Sequence, residues 1–205
     1  MLRRGVRPNR VSDGFTLVEL MVVVALIALV LTQGIPWLKS TTLNNRRTVQ
    51  VNDYIANLNL ARGLAISGDE SDLPGGITPC TGCDVTICKS IDGLVCTTSS
   101  SVNWHDGWVV FWDADGDGVV DAVDNDRLIR VQAALEGDST LKGNLSVVNR
   151  ISFDPNGFTG NNGTVVWCDS RGFGSEARAI VVSGVGRVRL TTVDDPNITL
   201  SSCSP

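Results

Sequence analysis

The sequence predicts an α+β chain, in which one long N-terminal helix packs on antiparallel β-sheets and the first half of that helix is membrane-spanning. Three observations predict it. From Phe15 to Ile35 there are 21 residues with a single charge, Glu19, and a bilayer core about 30 Å thick needs roughly 20 apolar residues of helix. Further on, Val51, Ile55, Leu58, Ala61 and Ala65 recur at spacings of three and four, which makes one apolar stripe on a helix. After residue 68, short apolar runs alternate with Gly, Asp and Asn turn signals.

The helix comes first. Arg3, Arg4, Arg7 and Arg10 against Asp13 give the first 14 residues a charge of +3. Flanking arginine holds that end in the cytoplasm and sends the rest across. Removing that +3 from the chain's −5 leaves −8 for the remainder, an acidic exported part that excludes broad attraction to nucleic acid or anionic lipid. A cleaved secretory signal would carry a shorter apolar stretch and a small-x-small site after it. Gln33-Gly34-Ile35-Pro36 is a poor one, and the small residue, Gly14, stands before the stretch instead. From Phe15 to Ile66 the helix would run about 78 Å, until Ser67-Gly68-Asp69 stops the pattern. Asn44, Asn45, Arg46, Arg47, Asn52, Asp53 and Asn57 make its polar side.

The predicted strands follow in order: 84–88, 107–113, 127–133, 150–153, 164–168, 177–183 and 187–193. The 107–113 run is apolar on both faces, as a buried strand requires. Turns at Asp92-Gly93, Asp115-Gly116-Asp117-Gly118, Asp154-Pro155-Asn156-Gly157, Asn162-Gly163 and Gly184-Val185-Gly186 separate the runs. Trp104, Trp108, Phe111 and Trp112 read as core packing.

Six cysteines follow the apolar run, an even number that fits disulfides in an oxidising compartment. Cys88 and Cys96 flank an expected hairpin, so Cys88–Cys96 is a plausible bridge. A Cys168–Cys203 bridge would pin the tail. Cys80–Cys83 is then left by elimination. Fifteen full pairings are open to six cysteines. A zinc site at Cys80, Cys83 and Cys88 and redox use of Cys-Thr-Gly-Cys are rivals, the latter without a supporting βαβ pattern.

Asp113, Asp115, Asp117, Gly118 and Asp121 occupy positions 1, 3, 5, 6 and 9 of a calcium-loop pattern, and Asp124 occupies position 12, where an EF-hand has glutamate. The flanks are strands rather than helices. Two readings stand side by side, a calcium site and a solvated acidic turn. His105 is the only histidine and no nucleophile motif accompanies it, so a catalytic triad has nothing to stand on. The chain is expected to be no enzyme and to need no cofactor, calcium excepted.

Gly14–Leu20, "GFTLVEL", with its basic leader and unbroken apolar run, resembles the prepilin peptidase site of type IV pilins and type II secretion pseudopilins. The resemblance implies cleavage after Gly14, N-methylation of Phe15 and retention of Glu19 inside the membrane helix. A carboxylate in lipid costs a few kcal/mol and is usually paired or functional. Its expected partner is the α-amine of Phe15 on a neighbouring subunit, the rival reading being a glutamate that meets water at the membrane surface. "LNLARGLAI" at 58–66, "VTICKSIDGLVC", "WHDGWVVFWDADGDG", "ISFDPNG" and "VSGVGRVRL" further resemble the GspH/FimT branch of minor pilins and minor pseudopilins. The resemblance implies a type IV pilin fold, and a bridge from Cys168 to Cys203 would resemble the C-terminal disulfide common in pilins. It divides the chain into a leader (1–14), a transmembrane half-helix (15–36), an exported half-helix (37–67) and a disulfide-bonded β-rich ectodomain (68–205).

Some FimT-type minor pilins act in DNA uptake and carry Gly-Arg-x-Arg, which Gly186–Arg189 matches. Arg187 and Arg189 would share one strand face, with Val188 and Leu190 inward and Arg171 and Arg178 nearby. The acidic surroundings oppose such contact. The expected protein is a non-enzymatic subunit, anchored in a bacterial inner membrane with its ectodomain periplasmic, that primes or caps a type IV pilus. The alternatives are a minor pseudopilin of type II secretion and a DNA-binding minor pilin. The expected partners are other pilins or pseudopilins, the prepilin peptidase and the inner-membrane assembly platform.

Overall fold

The computed structural model describes residues 14–68, 82–121, 126–144, 146–196 and 202–203. Its contacts divide the chain into two units, 1–44 and 45–205. Helix α1, Leu17–Ser67, contributes to both.

In the first unit the helix starts at Thr16, whose Oγ1 accepts the Glu19 backbone N–H at 3.2 Å. This N-cap satisfies one of the orphan donors of the first turn. The apolar side chains that follow are exposed: Leu17 is 73% exposed and Val30 70%. The helix is long and apolar enough to cross a membrane. Pro36 sits inside it and removes one backbone donor. Just beyond, the hydroxyls of Ser40 and Thr41 donate to the Trp37 carbonyl, and that of Thr42 to the Leu38 carbonyl.

The second unit is built on the predicted stripe. Val51, Leu58, Ala61 and Ala65 are buried and Ile55 packs against the same core. Tyr54, one turn after Val51, is fully buried among them. Asn57, expected on the polar side, is also fully buried; its Nδ2 donates to the Asp53 carbonyl at 2.7 Å, which removes one of its polar groups from the account.

Eight strands form two antiparallel sheets. They are β1 Asp84–Lys89, β2 Gly107–Asp113, β3 Arg127–Ala133, β4 Thr140–Gly143, β5 Arg150–Phe153, β6 Gly163–Cys168, β7 Arg178–Val182 and β8 Val188–Thr192. The first sheet runs β3-β2-β1-β5 and the second β4-β6-β7-β8. The seven predicted strands are all present. The sequence reading missed β4 and a one-turn 3₁₀ helix at Trp104–Asp106.

The inner faces of both sheets and the helix stripe share one core. Val85, Ile87, Trp108, Val110 and Trp112 come from the first sheet, and Leu141, Val165, Trp167, Ile180 and Val182 from the second. Period-two alternation sends the intervening residues outward. There they meet two smaller clusters: Val109, Phe111 and Cys88 under Cys96, Val120 and Leu128, and Val166, Cys168 and Ala179 under Phe173, Val193 and Cys203. This is why β2 is buried on both faces. Between Val110 and Phe111 its pairing with β3 shifts by one residue, a bulge that places Ile129 against the core.

Candidate functional site

The N-terminal segment carries the first candidate residues. Gly14 and Phe15 lie exposed just before α1. Thr16-x-x-Glu19 has the residue spacing of a capping box, a signal the sequence reading passed over. Only half of the box forms, through the Glu19 backbone N–H. The Glu19 carboxylate makes no hydrogen bond or ion pair among the described residues.

Between described residues two disulfides form, Cys88–Cys96 with Cα atoms 5.6 Å apart and Cys168–Cys203 at 6.0 Å. Cys83 is also disulfide-bonded, while Cys80 lies outside the described residues. Cys88 being bridged to Cys96, it cannot join a zinc site. The expected hairpin between them does not form. β1 ends at Lys89, and 91–95 is an irregular loop in which the Asp92 carboxylate accepts the N–H groups of Leu94 and Val95. Those two bonds hold the Asp92 carboxyl below the usual carboxylate range.

The acidic turn joins β2 towards β3. Asp113 is the last residue of β2 and is fully buried; Asp115 and Asp117 are exposed. One carboxylate oxygen from each lies within 4.8 Å of the others. Gly118 N–H donates to Asp113 Oδ2 at 3.0 Å, and Thr86 Oγ1 donates to the same oxygen at 2.8 Å. Asp113 Oδ1 is buried with no hydrogen-bond partner among the described residues. Burial pushes the Asp113 carboxyl up, opposed by the Thr86 bond and assisted by the charge of Asp126. Asp121 donates its N–H to Asp126 Oδ2 at 3.1 Å, so the turn is closed by a carboxylate the pattern did not include. Asp124 lies outside the described residues.

The basic strand is less simple than its sequence. Arg187 is exposed, just before β8. Arg189, in β8, pairs with Asp195 at 2.8 Å. Leu190, expected inward, is 45% exposed, while Val188 packs against the core; β8 is an edge strand and its outer end leaves the shared core. Arg171 is bound by Asp169 at 2.6 Å and by Glu176 at 3.3 Å, and Arg178 donates to the carbonyls of Ser175 and Ala177. The four arginines therefore do not form one open basic surface. Gly186 has a positive φ of 72°, and a Cβ there would strike the Gly157 carbonyl. Arg62 Nε donates to that same carbonyl at 3.0 Å and its Nη2 reaches the Val185 carbonyl at 3.4 Å. "LARGLA", "DPNG" and "GVGR" are thus parts of one clasp between α1 and two turns.

Sequence reasoning missed further buried or half-buried cations. Lys89 is 1% exposed and its Nζ donates to the carbonyls of Ser99 and Val102, each at 2.8 Å. Arg47 of α1 pairs with Glu176. An Arg or Lys at a strand or helix position is ordinarily read as solvated, so no local signal marks these. His105 faces the Leu141 backbone through Nδ1 and has no carboxylate or nucleophile on it among the contacts described. Trp104, Trp108, Phe111 and Trp112 are all buried in packing roles.

A long N-terminal helix laid on two antiparallel sheets, with an exposed apolar start, defines a pilin-like subunit. The chain belongs to the type II transport protein GspH family, whose model matches residues 81–186. The prokaryotic N-terminal methylation motif matches residues 9–32. The fold is similar to that of the type IV minor pilin FimU of Pseudomonas aeruginosa PAO1, with 18% identity, a TM-score of 0.51, and coverage of 82% of this chain and 100% of that one. No curated protein matches the chain. The family and this neighbour are structural pilin-type subunits, not enzymes. The methylation motif and the apolar helix point to anchoring in the inner membrane.

Proposed function

We propose that this chain is a minor pilin that primes or caps assembly of a type IV pilus. It is cut after Gly14, N-methylated at Phe15 and joined to neighbouring subunits through Glu19. The observation that carries the reading is the Glu19 carboxylate: it is the only charge in a 21-residue apolar run, all of its described neighbours are exposed, and it has no partner among the described residues. A carboxylate in lipid is stabilised by a counter-charge, and the new α-amine of Phe15 on an adjacent subunit supplies one. Residues 15–36 form the anchor in this reading, 37–67 the exported half-helix and 68–205 the periplasmic ectodomain. The subunit performs no chemistry, so an ion held by the ectodomain would serve its stability alone. Its partners are other pilins, the prepilin peptidase and the inner-membrane assembly platform.

A type II secretion pseudopilus is the second reading, favoured by the description of the matching family. DNA contact through Arg187 and Arg189 is weakly supported, since Asp195 already pairs with Arg189. The experiment is co-purification of the tagged chain with sheared pili or with the secretion apparatus, together with mass spectrometry of its N-terminus. Wild type should appear in the filament fraction with methylated Phe15, and Glu19→Leu should be processed but excluded. An intact leader in cells with active peptidase, or normal incorporation of Glu19→Leu, would overturn the filament reading.

A further inference from the structure

We infer that the acidic turn after β2 is a calcium site, formed by the carboxylates of Asp113, Asp115 and Asp117. Three acids in a turn would not carry this by themselves. The decisive group is Asp113, which is fully buried at the end of β2 and whose carboxylate is held in one orientation. Thr86 Oγ1 and Gly118 N–H both bind its Oδ2. Among the described residues that leaves Oδ1 buried without a donor, in a carboxylate grouped within 4.8 Å of the acceptor oxygens of Asp115 and Asp117. A buried carboxylate oxygen without a donor is costly unless a proton or a cation reaches it.

No protein cation does so among the described residues. Arg150 is the basic side chain against the turn, and its Nη1 donates to the Asp117 backbone carbonyl at 2.5 Å, not to a carboxylate. Asp126 is not a competing ligand in this arrangement, because its two oxygens accept the N–H groups of Ala114 and Asp121. What remains is a set of hard oxygen donors with no neutralising partner, open to solvent through Asp115 and Asp117.

Calcium fits this set better than magnesium. It takes six to eight oxygens in flexible geometry, whereas magnesium demands a small octahedron and keeps most of its water. Asp115 and Asp117 are exposed, so water completes the shell. Three carboxylates of this kind place the affinity in the range of extracellular modules, about 0.1–1 mM. The inference stands independently of the filament reading, because it concerns the ectodomain turn and not Glu19.

The test is isothermal titration of the full-length chain in detergent with calcium chloride, at constant ionic strength, alongside thermal unfolding. Wild type should bind one calcium with a Kd of about 0.1–1 mM and gain about 3 °C in Tm at tenfold excess over Kd. Asp115→Asn with Asp117→Asn should weaken binding at least tenfold while leaving the metal-free Tm unchanged, since asparagine Oδ1 can still accept the N–H groups of Asp117 and Val119 that these carboxylates now bind. Asp113→Asn, should it fold, must weaken binding as well. No heat up to about 10 mM calcium, undiminished binding in the double variant, or equal affinity for magnesium would each overturn the assignment.

Discussion

The Trp167 indole N–H donates to the Gln50 side-chain oxygen at 2.9 Å, joining β6 to α1 across 117 positions of sequence. Gln50 Nε2 passes the connection on to the Glu136 carbonyl at 2.9 Å. Gln50 is 6% exposed and Trp167 fully buried, so removing the amide leaves the buried indole N–H without its partner, while the Glu136 carbonyl, on an exposed residue, can turn to water. Gln50→Ala is expected to lower unfolding stability by about 2–3 kcal/mol, read as a fall in the denaturation midpoint at constant slope. A change below about half a kilocalorie would show that water replaces the amide.

The two described disulfides close loops of different length, with sequence separations of 8 and 35. Loop-closure entropy then assigns about 2.5 kcal/mol to Cys88–Cys96 and about 4 kcal/mol to Cys168–Cys203. Replacing each pair by serine and comparing denaturation curves should reproduce that order. The reverse order would mean that the 91–95 loop depends on its bridge for more than entropy.

Asp169 supplies a pH test. Burial raises its carboxyl, but the side-chain and backbone bonds from Arg171 outweigh this, and the folded carboxyl lies below the ordinary range. A depressed folded value stabilises the fold above the unfolded pKa of about 3.9, and that stabilisation is lost as pH falls through the folded value. Asp169→Asn should therefore cost about 2 kcal/mol at pH 7, and its curve should converge on wild type below about pH 4. A constant gap across the whole range would refute the ionic account.

Gly186 separates clasp from DNA surface. Gly186→Ala must adopt a positive φ and push its Cβ against the Gly157 carbonyl, so stability should fall by about 2 kcal/mol or more. Arg187→Ala, at an exposed position, should change it by less than about 0.5 kcal/mol. If thermal unfolding ranks the two the other way, the glycine is not there for the clasp.

Much of the fold was legible because the period of the apolar pattern changes from helical to alternating after Gly68, and because β2 and β6 carry uninterrupted β-branched or aromatic runs, Trp108–Trp112 and Thr164–Trp167. β4 was not legible. Thr140–Gly143 has one buried apolar residue, Leu141, and becomes a strand by pairing with β6. The Cys88–Cys96 segment was misread as a hairpin because Asp92-Gly93 is a strong turn signal; here Asp92 folds the loop on its own backbone instead. Asn57 and Leu190 broke the binary pattern in opposite directions, one buried by a bond to its own helix and one exposed at a sheet edge. Of the candidate sites, the spacing Asp113-x-Asp115-x-Asp117 could be read directly, but the orphaned oxygen of Asp113 could not, since it depends on Thr86 of the neighbouring strand.

Tyr54 lies edge-on to Trp104 and Trp108, with ring centroids 5.4 and 5.2 Å away. It is also the sole tyrosine in the sequence, against five tryptophans. At that separation its excitation energy passes to the indoles, so the folded subunit should be dark at the phenol emission and bright at the indole one. The molecule thus carries a built-in optical gauge of helix docking: phenol fluorescence should emerge only when α1 lifts from the sheets, with no label added.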